Sequence, residues 1–131
     1  MDDNVMPRKI LIADDSEHVR GSIAGMLSRM GMTDLMEAGS AEECVRSCRR
    51  WKPGIVLLDL DVPGPRGADQ VMDASSSCED SVIILMCSLG QEGRAAHFRR
   101  RGALDVMVKP VAEKDLKRVF QRNGLLSPPD Q

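Results

Sequence analysis

The sequence predicts an α/β protein in which a parallel, doubly wound sheet lies between two layers of helices. Short runs of consecutive apolar residues recur along the chain, as expected of strands buried on both faces. Between them lie stretches whose apolar residues repeat at helical spacing. The two kinds of segment alternate, which is the order that a parallel sheet with crossover helices requires. Right-handed crossovers then narrow the topology to a three-layer sandwich.

The first strand is Ile10-Leu11-Ile12-Ala13, and the helix after it carries Val19, Ile23, Met26, Leu27 and Met30 before Gly31 stops it. Leu35-Met36-Glu37-Ala38 is a weaker strand. Ser40-Ala41-Glu42-Glu43 has the form of a capping box, with Ser40 as N-cap and Glu43 reaching back. The helix it opens should run to Trp51, where Pro53 and Gly54 end it. Ile55-Val56-Leu57-Leu58 is the clearest strand; the Pro63-Gly64-Pro65 turn and a helix bearing Ala68, Val71 and Met72 follow. Val82 to Cys87 is a fourth strand, residues 91–101 a basic helix closed by Gly102, and Leu104 to Val108 a fifth strand. Pro110 leads into a last helix with Leu116, Val119 and Phe120 on its inner side. Ser127-Pro128-Pro129-Asp130-Gln131 reads as a loose end or linker.

The 131 residues fit one domain, and no apolar run approaches the roughly 18 residues of a membrane helix. Met1-Asp2-Asp3-Asn4 has no signal-peptide character, so a cytoplasmic location is expected. Cys44, Cys48, Cys78 and Cys87 are then expected to be reduced, with Cys44 and Cys48 one helical turn apart on a core face. Charge is uneven: residues 1–90 carry 9 basic and 15 acidic side chains, and residues 91–122 carry 9 and 4. A chain with net charge −2 is not expected to bind nucleic acid directly. Its acidic and basic regions point instead to a charged site in one part and a partner face, or a solvated helix, in the other.

In such sheets ligands bind beyond the carboxyl ends of the strands. There the first strand ends in Asp14-Asp15, the third in Asp59, the fourth in Cys87-Ser88 and the fifth in Lys109-Pro110. An aspartate at a strand end is often only a helix cap. Three converging on one crevice repel, and a hard divalent cation with oxygen ligands, Mg²⁺, relieves this. Lys109 offers a mobile positive charge, and an aspartate so flanked is a plausible nucleophile towards phosphorus.

Ile10 to Asp15, Ile55-Val56-Leu57-Leu58-Asp59-Leu60-Asp61-Val62-Pro63-Gly64, Gly102-Ala103 and Lys109-Pro110 closely resemble the signatures of response regulator receiver domains. The resemblance spans residues 8–122 and leaves 1–7 and 123–131 as tails or linker. It implies the flavodoxin-like, five-stranded order 2-1-3-4-5. It also implies that Asp59 accepts a phosphoryl group, that Asp15 and Asp59 bind Mg²⁺ with Asp14 assisting through water, that Asp61 offers a backbone carbonyl, and that Lys109 contacts the phosphoryl group. A histidine kinase or histidine phosphotransfer protein would be the donor, and enzymatic activity would not exceed self-phosphorylation and slow autodephosphorylation.

Two positions depart from the family pattern. Cys87 stands where a Thr or Ser hydroxyl is usual, and a thiol is a weak donor. Ser88 could substitute only if the strand slipped by one residue. Val106 replaces the usual aromatic switch residue. The expectation is intact acceptor chemistry with a weakened switch, and a downstream partner on the basic face of residues 91–122, built from Arg94, Arg99, Arg100, Arg101, Lys114, Lys117 and Arg118. The alternatives are a pseudo-receiver without phosphotransfer and a haloacid-dehalogenase-like phosphatase, whose Asp-x-Asp core Asp59-Leu60-Asp61 would match. A flavin carrier fits less well, because two acids after the first strand would repel a flavin phosphate.

Overall fold

Where the apolar runs occur, the computed structural model has strands: β1 (Ile10–Ala13), β2 (Leu35–Ala38), β3 (Ile55–Asp59), β4 (Val82–Cys87) and β5 (Asp105–Val108). The helices between and after them are α1 (Glu17–Arg29), α2 (Ala41–Trp51), α3 (Ala68–Ser75), α4 (Glu92–Arg100) and α5 (Glu113–Arg122). The structure describes residues 8–75 and 81–126; Cys78, the first residues and the Ser127–Gln131 tail lie outside them. The sheet is parallel throughout, in the order β2-β1-β3-β4-β5.

Strand alternation divides the core in two. Ile10, Ile12, Ile55, Leu57, Ile84 and Met86 face α1 and α5, where Ile23, Leu27, Leu116 and Phe120 cover them. Leu11, Ala13, Val56, Leu58, Leu85 and Cys87 face α2, α3 and α4, against Cys44, Cys48, Val71, Ala95 and Phe98. Cys44 and Cys48 are buried as the helical spacing predicts.

The ends of the helices follow local chemistry. Ser16 Oγ accepts from Val19 N at 3.1 Å and caps α1, whose chain leaves through Gly31 at φ 90°. Ser40 Oγ accepts from Glu43 N at 3.1 Å, as a capping box requires, but Glu43 Oε1 takes the amide of Gly39 at 2.6 Å. At the other end of α2, Lys9 Nζ donates to the Trp51 carbonyl at 3.1 Å and lies 5.5 Å from the indole centroid. Leu104 precedes β5 rather than belonging to it, although its amide still reaches Ile83 O at 2.7 Å.

A charged pair within the fold has no precedent in the sequence reading. Asp105 opens β5 and is buried, yet Arg122 at the end of α5 holds it through Nε at 2.8 Å and Nη2 at 2.7 Å. Asn123 Nδ2 adds a donor at 2.7 Å and Val106 N another at 2.8 Å. Burial pushes the Asp105 carboxyl up, but these hydrogen bonds and the guanidinium charge outweigh it and bring it down to about 2.

Candidate functional site

The register of the sheet builds the site. Ala13 pairs with Leu58 across β1 and β3, so the next step of each strand sets Asp14 beside Asp59. Asp14 is fully buried: Ser16 N donates to its Oδ1 at 2.9 Å, and Arg20 Nη1 holds its carbonyl at 2.7 Å. Arg20 also reaches Glu37 at 2.9 Å and so fastens the β1–α1 turn to β2. Asp59 is buried at the end of β3, and its Oδ1 accepts from Asp61 N at 3.1 Å. Asp15 is exposed, and one carboxylate oxygen from each of Asp14, Asp15 and Asp59 falls within 4.8 Å of the others.

Lys109 enters from the end of β5, where its amide donates to Cys87 O at 2.7 Å and a cis bond joins it to Pro110. Its Nζ stands 2.5 Å from Asp14 Oδ2 and 3.3 Å from Asp59 Oδ1. Burial works against the ammonium, but the hydrogen bond to Asp14 and the Asp59 charge outweigh it and raise Lys109 above its ordinary value. Asp59 is also raised: burial is the largest cause and the Asp14 charge adds to it, against the lowering effects of the Asp61 amide and Lys109. The pocket is thus a desolvated acid pair carrying one internal cation.

The turn after Asp59 is tightly closed. Gly67 lies at φ 52°, where a Cβ would meet Val62 O at 2.9 Å, so a larger residue there would displace the loop. The side chain of Asp61 points away from the acid pair to the start of α4. Gln91 Nε2 approaches its Oδ2 at 2.9 Å and Arg94 Nη1 its Oδ1 at 3.0 Å. The Gln91 hydrogen bond is the main cause of a lowered Asp61 carboxyl, with the Arg94 contact adding to it.

Cys87 lies on the opposite face from Asp59 by strand alternation and is buried with Ala95 and Phe98. Burial is the main cause of its raised thiol, and Glu92 adds to it. The pairing is regular through Asp59 with Met86 and Cys87 with Val108, so the one-residue slip that Ser88 would need is absent. Ser88 is exposed, and its amide donates to Gln91 Oε1 at 2.8 Å. Val106 packs, half-buried, at the margin of the same cluster as Cys87.

The basic face is less uniform than the sequence implied. Arg94 turns to Asp61, and Arg101 crosses to Asp69 and Asp73 of α3. Lys117 pairs with Glu113 and Arg118 with Asp115 along α5 itself. No helix among the described residues is long and apolar enough to cross a membrane.

A doubly wound sheet with clustered carboxylates and one lysine at its carboxyl edge defines a class of acidic-pocket α/β proteins, and the comparisons make the class specific. The response regulator receiver domain family matches residues 10–121, and this chain belongs to it. It is the receiver domain of a two-component response regulator. It is 31% identical to the transcriptional regulatory protein PdtaR of Mycobacterium tuberculosis over 87% of this chain, and spans 55% of that protein's length. Protein PilH of Pseudomonas aeruginosa is 32% identical, with 82% of this chain and 90% of that one covered. The receiver domain of NtrX from Brucella abortus superposes with a TM-score of 0.80 at 26% identity, covering 92% of this chain and 100% of that one. With the family shown and the Asp59-Leu60-Asp61 motif at the end of the third strand and the turn after it, the phosphatase reading is left without support. Receivers take phosphoryl groups from donors such as histidine kinases, pass the signal to effectors and generally bind Mg²⁺ in an acidic pocket.

Proposed function

We propose that Asp59 is the phosphoacceptor of this receiver, in a cytoplasmic domain spanning residues 8–122. The observation that carries the reading is the placement of Asp59: buried, 3.3 Å from Lys109 Nζ, and clustered with the oxygens of Asp14 and Asp15. A carboxylate oxygen of Asp59 would attack the phosphorus of a phosphohistidine. An O–P bond forms, the P–N bond breaks, and its electron pair leaves with the imidazole, which takes up a proton from solvent. Lys109 lies where it can leave the acid pair for a phosphoryl oxygen and offset the added charge.

The donor set suits a hard divalent cation, because it is made of oxygens alone and has one exposed carboxylate at its mouth. Asp15 and Asp59, with the backbone carbonyl of Asp61, are the residues we assign to Mg²⁺, and Asp14 assists through water. Bound there, Mg²⁺ would neutralise charge on the transferring group. The donor would be a histidine kinase or a histidine phosphotransfer protein. The downstream partner would be acidic and would meet Arg99, Arg100 and Lys114 on the α4 and α5 surface.

Incubation with acetyl phosphate and Mg²⁺, followed by intact mass measurement, tests the acceptor. One base-labile phosphoryl group is expected, and turnover of phosphate esters without labelling would overturn the reading. Magnesium alone should also stabilise the fold, by about 1.4 kcal/mol at ten times its dissociation constant. Asp15→Asn should abolish most of that gain in a thermal melt. An unchanged magnesium response in this variant would mean that the cation binds elsewhere.

A further inference from the structure

We propose that Gln91 and Arg94 are positioning residues that carry the state of Asp59 to α4 through Asp61, a route that bypasses Cys87 and Val106. The proposal rests on Asp59 being the acceptor.

The link has no gap in it. Asp61 N donates to Asp59 Oδ1 at 3.1 Å, so a change in the charge or bonding of that carboxylate acts directly on the Asp61 peptide. Among the described residues, the hydrogen bonds to the Asp61 carboxylate come from the start of α4: Gln91 Nε2, at the helix cap, lies 3.1 Å from Oδ1 and 2.9 Å from Oδ2, and Arg94 Nη1 lies 3.0 Å from Oδ1. Arg94 Nη2 also donates to Leu60 O at 3.2 Å, so the guanidinium grips two successive residues beyond the acceptor. Gln91 uses its other end as well, accepting from Ser88 N at 2.8 Å, and thereby ties the β4–α4 loop to the same carboxylate.

Phosphorylation of Asp59 converts a carboxylate into an acyl phosphate. The oxygen that faces the Asp61 amide then carries less charge and is a poorer acceptor. The Asp61 peptide loosens or turns, and the contacts of Gln91 and Arg94 with Leu60 and Asp61 transmit that movement to the first turn of α4. The other route is poorly equipped, since the Cys87 thiol is a weak donor and Val106 has no ring to follow it. Arg94 and Asp61 are both more than half exposed, so their ion pair adds little to stability. Removing the clamp should therefore cut the link while leaving the fold intact.

The test measures amide hydrogen exchange in the full chain with and without Mg²⁺ and beryllofluoride, a phosphoryl mimic. Amides of Leu60 and Asp61 report occupancy of the site, α4 reports transmission, and β5 with α5 serves as the reference. In the unmodified protein, exchange in α4 should change by roughly fivefold or more. In Gln91→Ala with Arg94→Ala, the α4 change should fall below about twofold while Leu60 and Asp61 still respond. Arg94→Lys should restore part of it, and Cys87→Ala should leave it unaltered. An α4 response that survives the double substitution, or disappears with Cys87→Ala, would overturn the proposal, as would a silent α4 beside responding Leu60 and Asp61. If Leu60 and Asp61 are themselves silent in the unmodified protein, it is the acceptor assignment that fails, and the proposal falls with it.

Discussion

Asp59→Asn should abolish labelling by acetyl phosphate altogether, while the protein stays folded. The amide has nearly the shape of the carboxylate, and its oxygen can still accept from Asp61 N, which now lies 3.1 Å from Oδ1. What is lost is the anionic oxygen that attacks phosphorus. The same substitution should raise the melting temperature in metal-free buffer. Asp59 has a raised folded-state value, with burial as the largest cause, so its ionisation weakens the native state as pH climbs above the ordinary carboxylate range. A neutral amide escapes that penalty, and for the same reason should gain less from added Mg²⁺. Intact mass and paired melts with and without the cation check both parts. Lys109→Ala should impair the response to phosphorylation more than the labelling itself. Base-labile label persisting on the Asp59→Asn protein would move the acceptor to another residue.

The second large effect belongs to Asp105 and lies far from the acceptor. Its carboxyl is brought down to about 2 against burial by the hydrogen bonds of Arg122, Asn123 and Val106 and by the charge of Arg122. A depressed acid contributes stability that is fully present above its unfolded value and is lost as pH falls through the folded one. The window here runs from about pH 4 down to about pH 2, and the contribution is on the order of 2–3 kcal/mol. Arg122→Ala should cost about 2 kcal/mol at pH 7, below the range for a fully enclosed pair because much of the guanidinium meets water. The penalty should shrink by more than half near pH 2, where the carboxyl of the unmodified protein is itself being protonated. Urea unfolding of both proteins at the two pH values makes the comparison; an equal penalty at both would assign the effect to packing of the arginine stem instead of charge.

How much of this was readable in the chain depends on the range of the interactions. The five strands were legible because each is a local apolar run, and the convergence of Asp14, Asp15, Asp59 and Lys109 followed from strand ends sharing one edge. The Asp105 pair was not, because its partners lie 17 and 18 residues away on another element, and a lone acid at a strand start looks solvated. Gln91 and Arg94 meet Asp61 across 30 and 33 residues, and the run of arginines at 99–101 disguised their neighbour as part of a uniform basic surface. The geometry separates them: Arg101 reaches α3, Arg99 Nη2 donates to Leu104 O at 3.3 Å, and Arg94 belongs to the acceptor turn. Arg20, which pins the β1–α1 turn, carried no signal either, since a helix-surface arginine gives no hint of a carbonyl six residues behind it, before the helix begins.

Trp51 is the chain's one tryptophan and there is no tyrosine. It sits at the end of α2 under Lys9, at the edge of the sheet opposite the acceptor crevice. Excited at the red side of its absorption band, the protein therefore emits light from a single place. That place is fastened to the residue preceding β1, so its emission shifts when the fold comes apart. The whole length of β3, Ile55–Asp59, lies between it and the acceptor, so loading the crevice should leave the spectrum still. One fluorometer trace would then report unfolding free of interference from phosphorylation, and the apparent stability of the loaded and unloaded forms could be compared with the same optical signal.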